Sequence, residues 1–405
     1  MERKRKYDRL PAELEQRILQ DRQAHAENPF ACRDEDCLRR QKLEKDQATL
    51  VRPAFVRDIE KIVNTPYYPR YADKTQVFSL KKNDDISRRF FHVQLVARIA
   101  KNLGRLLNLN LDLIEAIALG HDMGHTPFGH AGEKILGGLY HGQTGRYFNH
   151  NIQSARILDT IFSVNASLQT LDGIICHNGE TEQEKYFPQP CRGFEDFDEK
   201  MRLGLCEEKG ILKLVPCTLE GCVVRISDII AYLGKDRQDA IKIGAVSGYD
   251  RFEDGLIGST NAEIINNVTV NLVENSYGKN ALIMSPDYYR EFSEMKKENY
   301  ELIYLDDERA KIFDRQIAPM FEALYFRLLK DLTEGKKDSV IFTHHLRYVA
   351  ERGKYYPHLT PYEEQAPDDI VTDYIASMTD DYLIDLYRYL FPKGKYDVKY
   401  QGYFE

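Results

Sequence analysis

No Cys-x-x-Cys pair occurs among the seven cysteines, and their number is odd. That removes a zinc-ribbon ligand pattern and a fully paired disulfide framework, and it points to a reducing compartment. No apolar run reaches the ~20 residues that a membrane span needs. The opening Met-Glu-Arg-Lys-Arg-Lys leads into no apolar signal region, so a cytoplasmic protein without membrane contact is the expectation. Positive charge is also short: the formal net charge of −8 argues against general nucleic-acid affinity. The basic first residues leave a nucleic-acid contact open, with a solvated terminus as the favoured reading. Cys32 and Cys37, separated by four residues, have no second pair to complete a metal site and read as isolated thiols. Repeats and low-complexity tracts are lacking, while 405 residues of 42% hydrophobic content can bury a substantial core.

What the chain does hold is histidine. Seven of its eleven (His92, His121, His125, His130, His141, His150, His177) fall within 86 residues, a clustering that points to metal or acid–base chemistry. Asp112-Leu-Ile-Glu115 reads as a capping box opening an apolar helix, so the His121-Asp122 doublet falls on its last turn and Gly124 can stop it. Thr126-Pro127 reads as the cap and first position of the next segment. Residues adjacent on a helix point about 100° apart. Both members of the doublet therefore reach one metal only beyond the helix end or between helices, and another helix must supply the remaining ligands. His92 heads a helix whose Val93, Val96, Ile99, Ala100, Leu103 and Leu107 form a buried stripe. Asp228 lies in the apolar run from Val223 to Tyr232. An unpaired buried carboxylate costs several kcal/mol, which calls for a cation partner, with Arg225 three residues earlier as the alternative. Two histidines and two carboxylates suit a divalent ion: manganese, magnesium, iron, nickel or zinc. His130 and Glu133 stand at i, i+3, so that the carboxylate can hold one imidazole nitrogen and leave the other to take a proton from water. His177, ending a helix over 168–177 ahead of Asn178-Gly179, reads as a dipole cap.

His92, the His121-Asp122 doublet and Asp228 resemble the H…HD…D signature of the HD-domain phosphohydrolases. Their surroundings are similar to the deoxyguanosine triphosphate triphosphohydrolase branch. The matching stretches are Lys74-Thr75-Gln76-Val77-Phe78, Arg89 three residues before His92, the run from 120 to 133, Phe148-Asn149-His150-Asn151, Ile230 to Ala240, and Asp373 to Asp380. The resemblance implies a hydrolase that attacks the α-phosphorus of a deoxynucleoside triphosphate, dGTP first among them, and releases deoxynucleoside and inorganic triphosphate.

The same resemblance brings Gln76 to the deoxyribose, with a capping or strand-end amide as its alternative. It sets Tyr232 and Asp236 against the sugar, Asp236 at the 3′-hydroxyl; helical spacing puts both on one face with Asp228. His125 and His150 become candidates for binding the α-phosphate or protonating the 5′ oxygen. Arg89 suits a phosphate contact, or else pairs with Asp84 or Asp85. The resemblance also implies a homo-oligomer, tetramer or hexamer, and admits an allosteric nucleotide. Lys235 and Gln238 depart from the histidine and glutamate common in that family, which bears on base and effector preference. Two rival functions are another HD-domain nucleotide phosphohydrolase, such as a 5′-nucleotidase or phosphodiesterase, and a non-catalytic deoxynucleotide sensor.

The expected fold is all-α, an HD-domain helical core with additional N- and C-terminal helices. Residues 1–50 read as a charged arm, 51–250 as the metal-dependent core with a polar excursion or lid over 181–215, and 251–405 as a helical region packing on that core. Thr260-Asn-Ala-Glu263 is a capping box ahead of one of the later helices.

Overall fold

The computed structural model describes residues 6–178, 182–305, 307–356, 358 and 360–402. The first five residues of the N-terminal segment and Gly179, placed above at a helix end, lie outside them.

The all-α expectation holds: helices dominate, and the strands present are two residues long. In chain order the helices run α1 (Ala12–Gln23), α2 (Ala54–Val63), α3 (Arg89–Leu106), α4 (Leu111–Gly120), α5 (Gly129–Thr144), α6 (His150–Arg156), α7 (Leu168–Ile175), α8 (Phe194–Cys206) and α9 (Leu219–Lys242). They continue as α10 (Asn261–Ser276), α11 (Pro286–Asn299), α12 (Asp307–Ile312), α13 (Ala318–Thr333), α14 (Arg347–Arg352), α15 (Pro367–Ala376) and α16 (Asp380–Leu390). Strands β1 (Lys185–Tyr186) and β2 (Leu282–Ile283) pair antiparallel, tying the described part of the excursion, 182–215, to the region after α10. Among the described residues no helix is long and apolar enough to cross a membrane.

The centre is α9 packed on α3 and α4, with α2 and α7 against α4. The apolar stripe of α3 is fully buried at Val93, Val96, Ala100 and Leu103, and α9 buries Val223, Val224, Ile226, Ile229, Ile230 and Leu233. Helix α9 is buried for most of its length, including its charged Glu220, Arg225, Asp228, Asp236, Arg237 and Asp239. Thr260 and Glu263 close their capping box at the start of α10.

Two helix boundaries differ from the sequence reading. Helix α4 is capped by Asn110, whose side chain accepts from the backbone N–H groups of Asp112 and Leu113, so Asp112 sits inside the first turn instead of ahead of it. Thr126-Pro127 does not open α5. That helix begins at Gly129 after Phe128, which holds a left-handed backbone at φ 63°. The Phe128 N–H donates to the Asp380 carboxylate at 2.8 Å, a partner 252 residues away that local reading could not supply.

Residues 6–50 lie against the body. The Asp8 N–H donates to Asn267, that of Cys32 to Glu220, and the Asn28 amide to the Leu107 carbonyl. Cys32 and Cys37 join no cluster of metal-ligating side chains among the described residues.

Candidate active site

The doublet leaves α4 at its C-terminal end. His121 follows Gly120 directly, and its Nδ1 donates to the Ala118 carbonyl at 2.7 Å. That bond places the Nε2 lone pair inward, where it is buried and has no hydrogen-bond partner. Gly124 does not itself end the helix. A side chain on it would strike the His150 carbonyl and the Ser154 N–H at 2.3 Å, so glycine is what lets the 121–129 loop press against α6.

Helices α3 and α9 bring the other donors. His92 Nε2 lies 2.9 Å from Asp228 Oδ1, and His121 Nε2 3.8 Å from the same oxygen. Asp228 therefore finds its partners on α3 and after α4, and the Arg225 alternative falls away; Arg225 donates to the Leu214 carbonyl. Burial, the largest single influence, would raise the Asp228 pKa, but the His92 hydrogen bond together with the charges of His92 and His121 outweighs it and keeps the pKa below the ordinary carboxylate value. Ligand atoms of His92, His121 and Asp228 lie within 4.8 Å of one another, as do those of His121, Asp122 and His177. An orphaned buried imidazole nitrogen, ionised carboxylates and mixed nitrogen and oxygen donors fit a divalent metal ion.

Asp122 is the hub. Its Oδ1 is faced by Nε2 atoms of four histidines: His121 and His125 at 3.4 Å, His177 at 3.8 Å and His150 at 3.9 Å. Its Oδ2 takes the Arg89 guanidinium. Burial works against the charge, yet His121, His125 and Arg89 together hold Asp122 well below the usual carboxylate range. Arg89 is thus buried in an ion pair with Asp122, and Asp85 faces Lys242.

Glu133, on the first turns of α5, works in two directions. Its carboxylate takes the His150 N–H at 2.7 Å and His150 Nδ1 at 3.0 Å, and it reaches His130 Nδ1 at 3.3 Å. The i, i+3 pair is present, but His130 is 62% exposed, whereas His150 is nearly buried and is gripped by both carboxylate oxygens. Despite its burial, the surrounding imidazoles hold Glu133 well below its ordinary range. His130, Glu133 and His150 line a cavity of about 300 Å³, whose other lining residues include Asn178 and Ile211.

His177 makes the helix-end contact that the cap reading expects, and it also reaches the histidine cluster. Helix α7 ends two residues earlier, and His177 Nδ1 donates to the Ile174 carbonyl at 2.6 Å, as His121 does to Ala118. Its Nε2 then points at His150 Nε2 from 3.2 Å. Burial drives its pKa down to about 3, which favours the neutral ring. The signal for it was in the histidine count, but helix-end position outweighed it. His141 is the one member of the histidine group that turns away; its Nδ1 meets the Arg146 carbonyl on the far part of α5.

Farther along α9, Tyr232 is half-buried and Asp236 buried. Tyr304, a residue sequence reading did not single out, donates to Asp236 Oδ2 at 2.6 Å. Burial pushes the Asp236 pKa up to about 7, and the Tyr304 bond only partly offsets it. Gln76 lies beside the 121–129 loop. Its carbonyl and that of Thr75 border Gly129, and its side-chain Oε1 is buried without a hydrogen-bond partner. Asp380 holds this arrangement in place by accepting from both Thr75 and Phe128.

Residues 89–233 match the family model described as HD domain. A protein of Caldanaerobacter subterraneus subsp. tengcongensis named "deoxyguanosinetriphosphate triphosphohydrolase-like protein" is 29% identical over 388 residues, covering 94% of this chain and 95% of that protein. A protein of Desulfatibacillum aliphaticivorans with the same name is 37% identical over 224 residues, 54% of this chain and 56% of that protein. A third, from Caulobacter vibrioides, is 26% identical over 379 residues, 86% of this chain and 92% of that protein.

Proposed function

We propose that this chain, whose residues 89–233 match the HD domain, is a metal-dependent deoxynucleoside triphosphate triphosphohydrolase of the HD-domain family. Its substrate would be dGTP or a related deoxynucleotide, and its products deoxynucleoside and inorganic triphosphate. The observation that carries the reading is the Asp122 carboxylate, faced by four imidazoles and Arg89, with one of those imidazoles, His150, held by Glu133 and lining with it a cavity of about 300 Å³.

His92, His121, Asp122 and Asp228 would hold the metal, with His177 as a further donor. When bound, a divalent ion supplies Lewis-acid charge opposite phosphoryl oxygen. The protein's own groups divide the rest. Arg89 keeps Asp122 ionised and oriented, a positioning role in place of the direct phosphate contact expected from sequence. Glu133 accepts hydrogen bonds from the Nδ1 atoms of His130 and His150 and so orients both rings for proton transfer. His130, which lines the cavity, would accept a proton from the attacking water. His150 and His125 stand nearer Asp122, where the α-phosphate and the leaving 5′ oxygen would lie. Gln76, Tyr232 and Asp236 would read the sugar.

The test is incubation of the manganese-loaded protein with each of the four deoxynucleoside triphosphates, with phosphate products separated by chromatography. Triphosphate plus deoxynucleoside supports the reading and gives the base preference. Orthophosphate or pyrophosphate would move the chain to another HD phosphohydrolase activity, and binding without turnover to a sensor. His130→Ala should keep its metal, measured by elemental analysis, and lose about 10²-fold in rate; wild-type turnover would remove it as the base.

A further inference from the structure

Away from the histidine cluster, three distant segments bring thiols together. Cys191 lies in the 182–215 excursion, Cys217 directly before the Thr218 cap of α9, and Asp172 on α7. The sulfur atoms of the two cysteines and a carboxylate oxygen of Asp172 all lie within 4.8 Å of one another. The two strands of chain that carry the thiols are fixed side by side: the Gln189 N–H donates to the Pro216 carbonyl at 2.9 Å, and the Cys217 N–H to Asp172 Oδ2 at 2.6 Å. Cys191 Sγ donates to Asp172 Oδ1 at 3.4 Å.

Lys200, from α8, decides what this group can do. Its ammonium pairs with the fully buried Asp172 and donates to the Val215 carbonyl at 2.6 Å. A resident ammonium satisfies the carboxylate and opposes a second cation, which disfavours a metal and favours thiol chemistry. The hydrogen bond from Cys217 lowers the Cys191 pKa in spite of burial, and the same contact raises that of Cys217. One sulfur is thus the better nucleophile and the other its proton-bearing neighbour. Both are half-buried, while Cys176 and Cys222 are buried outright.

We propose that Cys191 and Cys217 form a redox-active dithiol, a modification site whose reactant is a low-molecular-weight disulfide such as oxidised glutathione. The Cys191 thiolate attacks one sulfur of that disulfide and expels a thiolate, which takes up a proton. Cys217 then attacks the mixed disulfide at Cys191, losing its proton and expelling the second thiol. The protein is oxidised to a Cys191–Cys217 disulfide, and one disulfide is reduced to two thiols. The bond ties the excursion, which supplies Ile211 to the wall of the active-site cavity, to the start of the helix that carries Asp228.

The full chain is equilibrated with mixtures of reduced and oxidised glutathione, its free thiols are alkylated, and unreduced peptides are read by mass spectrometry. The expected result is a peptide bridging Cys191 and Cys217, two hydrogens lighter than its parts, that disappears as reduced glutathione is restored. Cys217→Ala should instead trap glutathione on Cys191, because the resolving thiol is gone. The proposal is overturned if both thiols remain alkylatable at the oxidising limit. It is equally overturned if wild type and Cys217→Ala carry the same glutathione adduct, or if a retained zinc ion protects the pair from alkylation. None of these readouts uses hydrolysis, so they stand apart from the test of the triphosphohydrolase reading.

Discussion

Asp228 and Asp236 are the same residue type on the same helix, two turns apart and both buried, yet they are driven in opposite directions. Asp228 meets His92 at 2.9 Å and is held ionised against the pull of burial. Asp236 meets a tyrosine hydroxyl at 2.6 Å, has Asp239 nearby, and is lifted to about 7. Desolvation is the largest influence on both; what differs is that Asp228 is hydrogen-bonded by a histidine, whereas Asp236 is hydrogen-bonded by a phenol and feels His92 and Lys235 only through their charge. One end of α9 is therefore built to keep a negative charge, which suits a cation. The other carries a carboxyl that titrates near neutrality, which suits exchange of hydrogen bonds with hydroxyl groups.

The largest effect should come from making the first carboxylate as neutral as the second can be. Asp228→Asn keeps the shape and removes the charge, leaving His92 and His121 without their shared anion. Metal content by elemental analysis should fall well below wild type, and hydrolysis by about 10³-fold, the size of several kcal/mol of lost electrostatic stabilisation. Full metal content in that variant would mean that Asp228 is only a structural partner of His92.

The converse change, Asp236→Asn, should leave metal content intact and act on substrate and on pH. A carboxyl whose folded pKa is raised contributes stability that is fully present below its unfolded value, near 4, and lost as pH rises through about 7. Wild type should therefore lose stability between pH 4 and 7 relative to Asp236→Asn, and the variant should be the more stable at pH 8 by about 2–4 kcal/mol. Chemical denaturation at pH 4 and pH 8 checks the sign, and equal stabilities at both would break the contrast with Asp228. If Asp236 reads the 3′-hydroxyl, KM for the deoxynucleotide should also rise by about tenfold, one hydrogen bond's worth.

The contrast also explains what the sequence made legible. His92, His121, Asp122 and Asp228 could be read because each is a polar residue set at helical spacing among apolar neighbours, where the cost of burial demands a partner. The surroundings of Asp236 could not: Tyr304 is 68 residues away, one of 26 tyrosines, in a segment with no charge pattern to mark it. The same separation hid the Asp380 grip on Thr75 and Phe128, the turn of Arg89 toward Asp122, and the meeting of Cys191 with Cys217. Asn110 was missed for a different reason, since Asp112 offers the same capping chemistry two residues later and spacing alone does not choose between them. Helix positions followed periodicity and were read closely; the partners of polar residues follow packing between helices, which periodicity does not encode.

Tyr304→Phe is the mildest way to sharpen the comparison. The phenol donates to Asp236 Oδ2, and a donor to the ionised form lowers a carboxyl pKa. Removing it takes away the chief opposition to burial, so the Asp236 midpoint should move further above 7, by somewhat under one unit for a hydrogen bond of about 1 kcal/mol. The pH range over which stability falls should shift upward with it, while Asp228 and the metal content stay unchanged, because no partner of Asp228 is touched. A downward shift would show that the phenol serves the neutral carboxyl as an acceptor, and that the two aspartates differ in the direction of their hydrogen bonds as well as in the charge around them.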